Sequence, residues 1–157
     1  MSQEFIFFNP CPLLDGELEL VLKACYPADP IKKYSPSYHF IMHVHGRVFS
    51  GGSDAGRINL RIGENRDLEY YAGHIGYNVA PAFRGHHYAG RACRLLLPLV
   101  RMHGLRTLWI TCNPDNIASR RTCEWLGAQF VEIVPVPVDH EIYFSGDREK
   151  CRYRLDL

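Results

Sequence analysis

Apolar and polar positions along this chain keep a two-residue period for most of its first half and a helical period in two later stretches. Alternation from Leu18 to Leu22 within GELELVLKACY predicts a first strand. YHFIMHVHG (38–46) alternates again and predicts a second, with GRVFSGGSDAG as the turn region after it. GRINLRIG (56–63) predicts a third, with Ile58, Leu60 and Ile62 on one face. The polar stretch ENRDLE reads as a hairpin connection into a fourth strand, YYAGHIGYNV (70–79). Gly73 and Gly76 inside that strand predict a bulge or the close approach of another backbone.

From Ala89 the period lengthens. Ala92, Leu95, Leu96, Val100 and Leu105 keep helical spacing, Pro98 predicts a kink or break near the third turn, and His103-Gly104 closes the helix. LRTLWITCN (105–113) is almost continuously apolar, as a centrally placed fifth strand should be. Asn113, Asp115 or Asn116 is placed to cap a second helix, IASRRTCEWLG, which Gly127 ends. AQFVEIVPVP and KCRYRLDL supply a sixth and a seventh strand. Residues 1–16, with Pro10, Pro12 and Gly16, predict an irregular arm, and PADPIKKYSPSY predicts a loop with at most one helical turn. This order of strands and helices predicts one α/β domain over residues 1–157 with a mixed, mostly antiparallel sheet of six to seven strands.

Composition narrows the function classes. The chain is 46% hydrophobic and 22% charged with a formal net charge of +1, and it carries no like-charge block, so neither a nucleic-acid nor a membrane partner is expected. The longest apolar run, LLLPLV (95–100), is far too short to span a bilayer. Glu4 stands where a signal peptide would carry Lys or Arg, which predicts a cytoplasmic protein. Six cysteines without CxxC spacing predict reduced thiols rather than a disulfide framework or a zinc site. His39, His43 and His45 share parity on one strand, but no neighbouring carboxylate or thiol in the sequence completes a metal set, so no metal is expected.

Candidate chemistry concentrates in GHIGYNVAPAFRGHHYAGRA, a strand followed by a basic glycine-containing turn that opens a helix. Such a turn aims backbone N–H groups and the positive end of a helix dipole at one point, which suits a phosphate or pyrophosphate. Together with TCNPDNIASRRTCEWLGA some thirty residues on, the stretch closely resembles the GCN5-related N-acetyltransferases, and most of all the branch containing ribosomal-protein N-terminal acetyltransferases. The resemblance covers about residues 58–130. It implies acetyl-CoA as acyl donor, with the pantetheine arm between the fourth and fifth strands, which splay apart. Carried across, Val79 would contact the pantetheine, and Arg84, Gly85, His86, His87, Tyr88 and Ala89 would form the pyrophosphate loop. His87 stands where the family pattern Arg/Gln-x-x-Gly-x-Gly/Ala has a glycine. Asn116 and Ser119 match the Asn-x-x-Ser segment that faces the cofactor arm.

Acetyl transfer to an amine needs a base for the departing proton and a donor for the leaving thiolate. His74 stands where the related branch often has a Glu and reads either as that base or as a hydrogen-bonded strand histidine; Glu69 is a more distant candidate. Cys123 falls where many relatives carry the Tyr that protonates the thiolate, with Ser119 and Tyr77 as alternatives. Arg91, Arg94 and Arg101 read as a solvated helix face, one of which could pair with the 3′-phosphate of CoA. Relatives wall the acceptor cleft with two helices between the first two strands, where residues 25–37 leave room for a shortened segment only. That shortening implies an open cleft for a bulky acceptor or a homodimer partner that completes the wall. The expected acceptor is an amine-bearing small molecule or a protein N-terminus. A non-catalytic acyl-CoA sensor is the competing expectation, motivated by His87 and Cys123.

Overall fold

The computed structural model describes residues 3–46 and 53–157, so most of the turn expected over 46–56 lies outside the described residues. The described strands form two sheets. The larger has the order β1-β2-β3-β4-β5, with Leu13–Asp15 (β1), Leu18–Tyr26 (β2), Ser37–Val44 (β3), Asp54–Arg61 (β4) and Ile75–Val79 (β5). The smaller has the order β6-β8-β7, with Thr107–Cys112 (β6), Gln129–Pro135 (β7) and Glu149–Asp156 (β8). Pairing within both sheets is antiparallel. Among the described residues three α-helices accompany the sheets: Tyr88–Met102 (α1), Ile117–Trp125 (α2) and Glu141–Phe144 (α3).

The alternation read from the sequence places the core. Tyr38, Phe40, Met42 and Val44 of β3 share one buried face with Leu18 and Leu20 of β2 and with Ile58 and Leu60 of β4. Ala92, Leu96, Leu99 and Val100 of α1 join the same core, so its helical stripe covers that face of the sheet. Each such large side chain contributes about 1.5–3 kcal/mol through burial.

Several expectations change. The fourth strand is shorter than expected: Leu68–Ala72 is a π-helical turn, opened by the Asn65 side chain accepting from the Leu68 amide at 3.0 Å. Gly73 ends this turn at φ 72°, and a Cβ there would lie 3.1 Å from the Thr111 amide nitrogen. The close approach expected at Gly73 is therefore that of β6. Pro98 sits in a continuous α1, on its exposed face, where the carbonyl that loses a partner can meet water. β6 is an edge of the smaller sheet rather than a central strand, with Leu108, Ile110 and Cys112 buried in alternation. β1 and α3 have no counterpart among the expected elements.

The two sheets meet where β5 lies beside β6 without a ladder. One residue stitches them: the His74 amide donates to Trp109 O at 2.8 Å, and the Trp109 amide donates to His74 Nδ1 at 2.9 Å. Beyond that stitch the strands part. The expectation that these strands splay is met.

Candidate active site

A cleft of about 910 Å³ opens at the parting of the sheets. Ile75, Gly76 and Tyr77 of β5 form one lip, and Thr111 and Cys112 of β6 with Asn116 and Ser119 of α2 form the other. At its base Tyr77 Oη and Ser119 Oγ are 2.7 Å apart. Burial pushes the Tyr77 hydroxyl well above the usual phenol range, so it keeps its proton and acts as a hydrogen-bond donor. Asn116 is the N-cap of α2, its Oδ1 accepting from the Ser119 amide at 3.2 Å, which fixes Ser119 at the lip.

The outer walls come from the chain itself. The turn after β2 forms one side, closed on itself by paired backbone bonds between Asp29 and Tyr34 and by Asp29 Oδ1 accepting from the Ile31 and Lys32 amides. Opposite it stands α3. Tyr34 Oη donates to Glu141 Oε1 at 2.9 Å and bridges the two walls. His140, at the N-cap of α3, pairs with Asp67 through Nε2 and accepts the Ile142 amide on Nδ1. A short wall is expected from the sequence; α3, unforeseen, completes it.

At the far end of β5 the chain turns through Pro81–Phe83 into the loop before α1. Gly85 has φ 89°, and a Cβ placed there would meet no atom within 4 Å, so the loop is open above it. His87 is the N-cap of α1 at φ 57°, in the left-handed region a glycine would adopt freely. Its ring stacks on Trp125 at 4.9 Å, nearly parallel, and Arg94 lies over the same indole at 3.9 Å. Gly90 permits this packing, since a Cβ there would fall 2.4 Å from the Trp125 ring. The His87 side chain makes no cap to α1, and a helix leaves its first amides without intrahelical acceptors, an arrangement suited to an anion.

A family model for an acetyltransferase (GNAT) domain matches residues 10–129. The chain belongs to the GNAT acetyltransferase family. Solved structures share the fold. The microcin C7 self-immunity acetyltransferase MccE, solved with acetyl-CoA and AMP, has a TM-score of 0.57 at 17% identity, over 77% of this chain and 61% of that one. RimL, a ribosomal L7/L12 α-N-protein acetyltransferase, has a TM-score of 0.56 at 17% identity, over 77% of this chain and 70% of that one. An acetyltransferase from Agrobacterium tumefaciens matches over 99% of this chain and 100% of its own, with a TM-score of 0.62 at 17% identity. The chain therefore spans less than two thirds of MccE but the whole of the Agrobacterium protein. At these identities the likeness is one of fold. Among curated proteins none matches the chain in sequence.

Within this GNAT frame the expected site residues separate. Tyr77, Asn116 and Ser119 come together at the cleft, and Val79 lies farther along β5, toward the loop of residues 84–89. Arg84 turns back on its own strand, Nε donating to Val79 O at 3.3 Å. His86 packs its ring near that of Tyr88. Tyr88 and Ala89 are buried, and Tyr88 Oη donates to Glu17 Oε1 at 2.9 Å, which commits that hydroxyl to the β1–β2 turn.

Two catalytic candidates are displaced. His74 is 1% exposed and does not line the cleft. Its Nε2 donates to Gly63 O at 2.8 Å while Nδ1 accepts from Trp109. Burial also lowers its pKa, and with both nitrogens committed it has no lone pair for a substrate proton. The base assigned to His74 is therefore corrected to a structural histidine. Cys123 is fully buried, burial raises its thiol pKa strongly, and it is not among the residues that line the cleft. Glu69 serves through its carbonyl, which accepts from the Arg152 Nε at 2.9 Å.

Arg91 is not a solvated face residue. Its guanidinium binds the Asp15 carboxylate at 2.7 Å and Glu17 at 3.0 Å, which ties α1 to the β1–β2 turn. The three strand histidines also part company: His43 pairs with Asp54, His45 with Glu19, and His39 lies in the cleft with Ser37. Among the described residues no group of three or more ligands is arranged to hold a metal. All six cysteines are free. No helix among the described residues is long and apolar enough to cross a membrane.

Proposed function

We propose that this protein is an acetyl-CoA-dependent N-acetyltransferase that joins donor and primary amine in a ternary complex. The observation that carries the reading is the broken ladder between β5 and β6. Peptide groups facing that gap have no strand partner, which suits the amides of a pantetheine arm. The open space over Gly85 and the start of α1, where the His87 side chain makes no cap, suit a pyrophosphate at the end of the same strand. Acetyl-CoA would supply an acetyl group already activated as a thioester.

The residues of the chain then have distinct tasks. The gap orients the thioester next to the Tyr77–Ser119 hydroxyl pair, which donates hydrogen bonds to the departing sulfur. Because Tyr77 holds its proton strongly, it stabilises the thiolate rather than surrendering a proton to it. The cleft beyond, walled by the 26–36 turn and α3, receives the amine. Its volume suits a peptide N-terminus as well as a small amine, and α3 of this chain lines its second side. The test is release of CoA thiol from acetyl-CoA in the presence of a panel of polyamines, aminoglycosides and short peptides with free N-termini. Binding of acetyl-CoA without release across the whole panel would point to a sensing module instead.

A further inference from the structure

Loss of His74 from the chemistry leaves the amine proton without an acceptor, and the cleft itself supplies one. Two histidines line it, His39 and His140. His140 is spent: Asp67 holds one nitrogen and the Ile142 amide the other. His39 is different. Its Nε2 lies 3.1 Å from Ser37 Oγ, and its Nδ1 has no partner among the described residues. Tyr26 packs edge-on against the ring at 4.8 Å and holds its plane.

Strand register puts His39 on the side of the sheet from which an acceptor would approach. His39 pairs with Asn59, and Asn59 pairs with Gly76, so the three share one face. Gly76 carries no side chain of its own, and the Arg61 guanidinium lies over it on this face, 3.3 Å from where a Cβ would stand, donating to the Ala72 and Gly73 carbonyls. Tyr77, one residue on, faces the opposite side with Ser119. Sulfur-side and amine-side groups thus lie on opposite faces of β5.

We propose that His39 is the general base of the reaction, with Ser37 positioning it. This assignment rests on the acetyltransferase reading above. With its Nε2–H donated to Ser37 Oγ, the ring presents a lone pair at Nδ1. The amine nitrogen forms a bond to the acetyl carbon, the carbon–sulfur bond breaks to give CoA thiolate, and, because two strand spacings of about 4.8 Å separate His39 from Gly76, the nitrogen's proton passes to Nδ1 through water in the cleft. The thiolate leaves hydrogen-bonded to the Tyr77–Ser119 pair. Burial first, and then the Arg61 cation, lower the His39 pKa and keep the ring neutral and ready to accept at pH 7. The other charged groups facing the cleft are Asp29, Lys32 and Lys33 of the 26–36 turn, Asp67, Glu141 and Lys150.

The test compares wild type with His39→Gln, Ser37→Ala and His43→Gln, the last on the same strand face but outside the cleft. Acetyl-CoA binding is read by calorimetry, and CoA release is followed from pH 5 to 9 with the fastest amine of the panel. His39→Gln should bind acetyl-CoA within about twofold of wild type, lose on the order of 100-fold in kcat, and lose the rise in rate that wild type shows as the pH climbs through the range below ~6.5. Ser37→Ala should lose less and keep that rise, and His43→Gln should match wild type. His39→Asn serves as a second variant if Gln disturbs the fold. A His39 variant that folds, binds acetyl-CoA and keeps the wild-type kcat or low-pH rise overturns the assignment alone. A wild-type protein that binds no acetyl-CoA overturns the functional reading and this assignment with it.

Discussion

His87 offers a quantitative check on how the proposed pyrophosphate loop is held. Its backbone sits at φ 57°, which costs a non-glycine residue about 1–2 kcal/mol. Its ring recovers part of that by stacking on Trp125, about 1 kcal/mol for such a pair. Replacing His87 by Ala removes the stack and keeps the strain, so stability should fall by about 1 kcal/mol. Replacing it by Gly removes the stack, relieves the strain, and adds unfolded-state entropy worth about 0.4–1 kcal/mol. His87→Gly should therefore be more stable than His87→Ala by ~0.5–1 kcal/mol and nearly as stable as wild type. Urea unfolding midpoints at constant slope measure the order. Both variants keep the loop amides, so acetyl-CoA affinity should change by less than about threefold, or ~0.6 kcal/mol. An Ala variant as stable as the Gly variant, or more so, would refute the strain-and-stack account of this loop.

Other consequences are as direct. His74→Ala leaves the Trp109 amide and the Gly63 carbonyl buried without partners, so it should cost about 2–4 kcal/mol, measurable by denaturation, without removing the low-pH limb of activity in whatever fraction folds. Tyr77→Phe should lower kcat by on the order of 10–100-fold with little change in acetyl-CoA affinity, if the hydroxyl paired with Ser119 serves the leaving sulfur as proposed. Glu17, hydrogen-bonded by Arg91, has its pKa lowered to about 2 from an ordinary 4.5. Its contribution is therefore full above pH ~4.5 and lost as the pH falls toward 2; with partial solvent screening it amounts to about 1–2 kcal/mol. Acid unfolding of Arg91→Met should lack this increment.

Local pattern reveals much of the fold, and the reasons for the exceptions are physical. Strands with one buried face alternate, so β3 and β4 are readable to within two residues. The 68–72 turn is not, because its aromatic and aliphatic residues suit a strand, and only the Asn65 cap and the nearness of β6 select a π-turn. The loop before α1 is legible because its glycine and proline positions are local features, as is the Asn116 cap. Pairings across long separations leave no such local trace. His74 is retired by the backbone atoms of Gly63 and Trp109, which carry no signal in side-chain identity. Arg91 is claimed by Asp15 and Glu17, more than seventy residues upstream. Parity groups His39 with His43 and His45, yet the strand is long enough to place one in the cleft and the others at its far end. The α3 wall depends on a Tyr34–Glu141 bond spanning 107 positions.

The central claim is that the parting of β5 and β6, with the loop at its end, holds acetyl-CoA. Calorimetric titration of the protein with acetyl-CoA tests it most directly. One site per chain is expected, with affinity weakened by about tenfold or more in Gly85→Val, where a branched side chain is forced into a left-handed backbone at the loop. No heat of binding at millimolar acetyl-CoA, or a Gly85→Val protein that binds as wild type does, would contradict it.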